Sequence, residues 1–84
     1  MSELREALKR AAETEPILQF FVFAHLSPAM QATAAEFAGT ALFCFETLPR
    51  NPERTVALRK LLEAKDAAVR SRMYQAAPTR SEPL

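Results

Sequence analysis

Residues 28–48 number 21 and carry only two charges, Glu36 and Glu46. Ser27-Pro28 opens them with a capping hydroxyl and then a proline at the first helical position, a strong helix start. Met30, Ala34, Phe37, Ala41, Phe45 and Leu48 recur at the three-to-four spacing of one helix face. Ala32, Ala35, Ala38, Leu42 and Phe43 fill the other faces. A helix apolar nearly all round must be buried nearly all round. A chain of 84 residues is one small domain and buries little surface alone. The helix is therefore expected to pack on its own domain and on another chain. Gly39, the only glycine, marks a candidate close crossing.

The flanking segments follow from punctuation. Residues 2–14 read as a short helix with Glu3 and Glu6 in its first turn and Leu4, Ala7, Leu8 and Ala11 as a thin apolar stripe. Pro16 argues for a break before it. Residues 17–26 are rich in aromatic and β-branched side chains and read as an extended segment, although a helix begun at Pro16 also fits. Leu48-Pro-Arg-Asn-Pro is a tight connection in which Asn51 caps the next helix and Pro52 takes its first position. That helix is expected to run to about Gln75, burying Leu58, Leu61, Leu62, Ala64, Ala68, Val69 and Met73. The predicted fold is all-α: an antiparallel helical hairpin over 27–75, preceded by a short N-terminal helix and the extended aromatic segment, assembling as a homo-oligomer. One domain, 1–76, is expected, with 77–84 a disordered tail.

Several chemistries lack their residues. One His and one Cys do not make a zinc site, so no metal or cofactor is expected. A single glycine cannot build a phosphate-cradling loop. Glu36 and Glu46 lie ten residues apart on different faces, so no acid–base pair forms and no enzyme is expected. Cys44, within Leu-Phe-Cys-Phe, reads as a buried small apolar residue of a reducing, cytoplasmic compartment. Gln19, His25, Gln31, Glu36 and Glu46 interrupt the most apolar stretch, which excludes a membrane span.

The neutral total hides an asymmetry. Residues 1–49 hold six acidic and three basic side chains, whereas 50–72 hold seven basic and three acidic ones. Glu53, Glu63 and Asp66 break the basic stripe, which argues against duplex DNA. Arg50 and Arg54 beside the free N–H groups of a helix start make a candidate phosphate site. His25 stands between the aromatic run and a helix start, where it either caps and packs or meets a ligand. Among Phe20, Phe21 and Phe23, all ordinary core residues by type, Phe23 is the best placed to contact one.

The segment Phe23-Ala-His-Leu-Ser-Pro, then a helix, then Leu-Pro-Arg-Asn-Pro-Glu-Arg-Thr-Val-Ala-Leu-Arg-Lys-Leu-Leu-Glu-Ala-Lys, resembles the helical-hairpin domain of phage anti-CBASS and anti-Thoeris proteins. Glu53, Thr55, Ala57, Leu58, Lys60, Leu61, Glu63, Ala64 and Ala68 fall in register with that family's second run. The first element departs from it: Ala24 separates Phe23 from His25 where the family places a Tyr next to the His, and Leu26-Ser27-Pro28 stands for Pro-Pro. Members of that family are sponges that bind cyclic-nucleotide immune signals without cleaving them.

The resemblance implies a dimer-based homo-oligomer, a hexamer in many members, with a cyclic oligonucleotide held between protomers. It implies Phe23 and His25 on the base side, and Arg54, Thr55, Arg59 and Lys60 on the phosphate side. A basic residue of the first hairpin helix, expected in a dinucleotide sponge, is absent from 28–48. The alternative is a helical interaction or oligomerisation module with no nucleotide ligand.

Overall fold

The computed structural model describes residues 2–74. Its elements are helix α1 (Ser2–Ala12), a 3-10 helix (Pro16–Phe21), helix α2 (Pro28–Thr47) and helix α3 (Pro52–Tyr74). The all-α class expected from the sequence is observed, with no strand among the described residues. Gln75, Ala76 and the expected tail at 77–84 lie outside the described residues.

α1 stops at Ala12, two residues earlier than expected. The backbone then turns, with the amides of Thr14 and Glu15 both donating to the Ala11 carbonyl. The expected extended segment is a correction. Pro16–Phe21 is a 3-10 helix, closed by the Leu18 amide donating to the Glu15 carbonyl at 3.0 Å. Only Val22 and Phe23 lack regular structure before the next turn. In a 3-10 helix residues three apart eclipse one another. Leu18 and Phe21 therefore share one line, and both are fully buried while Phe20 stays exposed. A strand would have buried every second residue instead.

α2 begins at Pro28 as read, but Ser27 makes no capping bond through its side chain. The Gln31 side chain, one turn in, donates instead through Nε2 to the Ala24 and Leu26 carbonyls at 3.2 and 2.7 Å and ties down the turn before the helix. α3 begins as the sequence implies. Asn51 Oδ1 accepts from the Arg54 amide at 2.9 Å, a side-chain cap on the third helical residue.

α2 and α3 run antiparallel. Arg54, near the start of α3, donates to carbonyls at the end of α2, and Arg72, near the end of α3, donates to Thr33 Oγ1 near the start of α2. α1 packs on the other flank of α2 and does not approach α3. The three helices thus form one layer with α2 in the middle. The 3-10 arm crosses a single side of this layer and touches all three helices. The slab measures 46 × 28 × 16 Å.

The core lies between layer and arm. Leu8, Leu18, Phe21, Phe23 and Leu58 are its large, fully buried side chains. Burying each contributes roughly 1.5–3 kcal/mol. α2 contributes only alanines to it: Ala34, Ala35, Ala38 and Ala41. The expected stripe of Met30, Phe37, Phe45 and Leu48 is half-buried or exposed, and on α3 the expected Ala64 and Met73 are exposed as well. The arm supplies the rings, so the helix beneath it must supply space, and its larger side chains move to the rim.

Candidate functional site

Arg54 shows how the chain joins its two halves. It occupies the third position of α3, where the Asn51 cap fixes its backbone. Its side chain turns back toward the core and is only 8% exposed. One guanidinium nitrogen, Nη1, donates to the Phe45 and Leu48 carbonyls at 3.1 and 3.3 Å. These carbonyls belong to the last turn of α2, whose acceptors have no partner within the helix. The other nitrogen, Nη2, donates to Glu15 Oε1 at 2.7 Å. The Phe45 ring lies 5.3 Å from the guanidinium carbon, within cation–π range. Arg54 therefore bonds α3 to the end of α2 and to the residue before the 3-10 arm. Among the described residues no buried polar side-chain atom lacks a partner.

The six residues expected at the ligand do not meet. Phe23 is a core residue, 1% exposed, and offers no ring face to solvent. Arg54 is 8% exposed and its two terminal nitrogens bond to Glu15 and the α2 terminus. His25 is exposed in the turn before α2. Thr55, Arg59 and Lys60 are exposed on α3. Thr55 and Arg59 are four apart and share an edge, whereas Lys60 points about 100° away from Arg59 by helix geometry. His25 precedes the start of α2, and Thr55 lies beside its end. The 20 residues of α2 separate these ends by about 30 Å. Within one protomer, His25 and the Thr55–Arg59 edge cannot contact one small ligand.

A different group of residues gathers near His25. A cleft of about 450 Å³ between α1 and the chain after the arm is lined by Arg5, Glu6, Leu8, Lys9, Val22 and Ala24. Arg5 and Lys9 are exposed and four apart, so they share a face of α1. Val22 and Ala24 give the cleft its accessible apolar surface, with Leu8 buried beneath them. Ala24 on its rim directly precedes His25. In the sequence Arg5 and Lys9 stand out only as two of the three basic residues of 1–49. Their proximity to residues 22–24 depends on the chain reversing through the arm, which no local spacing signals. Glu15 was missed for the same reason, since its contact with Arg54 spans 39 residues. Among the described residues no group of three or more potential metal ligands occurs, and no helix is long and apolar enough to cross a membrane.

Compared with protein-family models, curated proteins and solved structures, the chain matches none of them.

Proposed function

We propose that the chain is a self-assembling helical protein that binds and sequesters a cyclic dinucleotide or trinucleotide immune messenger without cleaving it. In this reading a phage-encoded copy acts in the bacterial cytosol and blocks CBASS- or Thoeris-type signalling. The observation that carries the reading is the cleft beside His25. Val22 and Ala24 offer apolar surface to the face of a base, and Arg5 and Lys9, on either side of Glu6, are cations within reach of phosphates. They supply on α1 the positive charge that residues 28–48 lack. The resemblance of residues 53–68 adds weight, because that run folds as one uninterrupted helix with Thr55, Arg59 and Lys60 exposed and Leu58 and Leu62 inward.

The reading has a geometric requirement. His25 and the Thr55–Arg59 edge sit at opposite ends of α2, so a site using both needs two protomers. A dimer-based assembly, a hexamer in the resembled family, meets that requirement by placing one copy's α3 edge against another's His25 end.

A second reading, an oligomerisation module with no nucleotide ligand, draws on the burial of Phe23 and on the bonding of both terminal nitrogens of Arg54 within the protomer. Thermal melting against a panel of cyclic di- and trinucleotides and cyclic ADP-ribose isomers separates the two. A ligand that binds only the folded state raises the melting temperature by mass action. The sponge reading expects a rise of several degrees with one ligand class, intact ligand recovered after denaturation, and loss of the rise in Arg5→Ala/Lys9→Ala. No rise with any ligand well above micromolar concentration selects the module.

A further inference from the structure

The layer of three helices is covered on one side only. On the other side α2 presents Ala32, Glu36, Thr40 and Phe43, all exposed, with Phe43 at 63%. Phe43 is the large apolar side chain of this otherwise mixed side, and burying it takes a second body against the layer. Beside Phe43 runs a groove of about 400 Å³, bounded by Leu4 of α1 and by Ala35, Glu36, Gly39 and Thr40 of α2. Gly39 sits mid-helix with no positive φ, and a Cβ added there would meet nothing within 4 Å. Nothing inside the protomer thus requires glycine, yet glycine weakens a helix interior relative to alanine. The one glycine of the chain is placed where a body outside the protomer can come close.

The shape of the patch selects that body. A two-fold contact uses the same patch on both copies, so a projection and its recess must sit symmetrically about one point. Phe43 is the projection, and the recess beside Glu36 and Gly39 begins one turn to two turns earlier. When two α2 helices cross antiparallel between Gly39 and Thr40, position 36 of each faces position 43 of the other. Each Phe43 then enters the other copy's groove. The broad side of the slab spans 46 by 28 Å, which leaves room for the roughly 800 Å² per partner that a standard stable interface buries. We propose that two copies pair through this side of α2, with each Phe43 seated beside Gly39 of the other. The inference rests on the reading that the chain assembles with itself, and it names the surface that does so.

Sedimentation velocity and far-ultraviolet circular dichroism of the full chain test it, on wild type, Gly39→Leu and Phe43→Glu. The expected result is a wild-type dimer or a multiple of one. Both variants should raise the dissociation constant at least ~10-fold, the loss of a central anchor, while keeping wild-type helix content. Should Gly39→Leu disturb the helix, Phe43→Glu, at a solvent-exposed position, decides alone. If wild type assembles and the variants assemble equally tightly, this surface is wrong and self-assembly stands. If wild type stays monomeric well above micromolar concentration, self-assembly and this surface fall together.

Discussion

The two sides of the helical layer are built from the same helix in opposite ways. On the covered side, Ala34, Ala38 and Ala41 of α2 are fully buried beneath Leu18, Phe21 and Phe23, which the arm and the residues after it bring over them. On the open side, α2 carries an exposed Phe43 beside Gly39 and a groove. Small residues therefore mean different things on the two sides. The alanines make room for rings supplied by this chain. The glycine makes room for nothing in this chain. α2 thus meets part of its need for burial inside the protomer and leaves Phe43 exposed.

The sharpest way to break this contrast is to delete one phenylalanine from each side. Phe21→Ala removes a fully buried ring, and a loss of about 3–5 kcal/mol is expected. Phe43→Ala removes a ring that is mostly in water, and a change within about 0.5 kcal/mol is expected for the monomer. Urea denaturation at concentrations too low for assembly measures both. Equal losses would mean that the two sides are not energetically distinct.

The next largest effect contrasts two arginines on α3. Arg54→Ala strips the end of α2 of its donors and leaves Glu15, itself 20% exposed, without its partner. Breaking a fully buried pair costs 3–5 kcal/mol, and the partial exposure of Glu15 reduces this to about 2 kcal/mol. Arg59→Ala, on the exposed edge, should change stability by less than about 0.5 kcal/mol. The two variants should reverse rank in ligand titrations, where only Arg59 is free to reach a phosphate. Comparable destabilisation by both would remove the structural role assigned to Arg54.

These residues also show how far the sequence was readable. Helix starts were legible at Pro28 and Pro52, because proline and the residue before it act locally. The hairpin followed from the short Leu48–Asn51 connection and from the length of the two runs it joins, whereas the buried face of α2 did not, since Met30, Phe37, Phe45 and Leu48 lie at the rim. The arm was not legible. Six residues hold only two turns of a 3-10 helix, too few for a period of three to separate from an alternating one, and aromatic content favoured the strand reading. The candidate site was legible in composition but not in position. Arg54 has the residue type and helix-terminal place of a phosphate ligand, and its role was decided by Glu15, 39 residues away. Phe23 was decided likewise, by the turn that folds it under the layer.

The capping residues give a smaller and cleaner contrast between the two ends of α2 and α3. Asn51 makes a capping bond to the Arg54 amide, and Asn51→Ala should cost about 1 kcal/mol. Ser27 makes none, and Ser27→Ala should be silent within about 0.5 kcal/mol. Gln31→Ala should exceed Ser27→Ala, because the Gln31 side chain holds the turn that Ser27 does not. Denaturation midpoints of the three variants check the order. If Ser27→Ala proved the most damaging, the start of α2 would be held by a bond other than those described.

The smallest effect should also have the opposite sign. Gly39→Ala adds a methyl group into open space and removes backbone freedom from the unfolded chain. The dilute monomer should therefore gain about 0.5–1 kcal/mol. The same methyl group stands in the groove that a second copy's Phe43 is proposed to enter, so assembly should weaken while the monomer strengthens. A residue used for helix stability alone would move both quantities in the same direction, because a better-folded protomer presents a better-ordered interface. The pair of measurements, denaturation midpoint in dilute solution and dissociation constant in concentrated solution, thus separates the two sides of the layer within one substitution. A gain in both would mean that Gly39 faces solvent in the assembly as well as in the monomer.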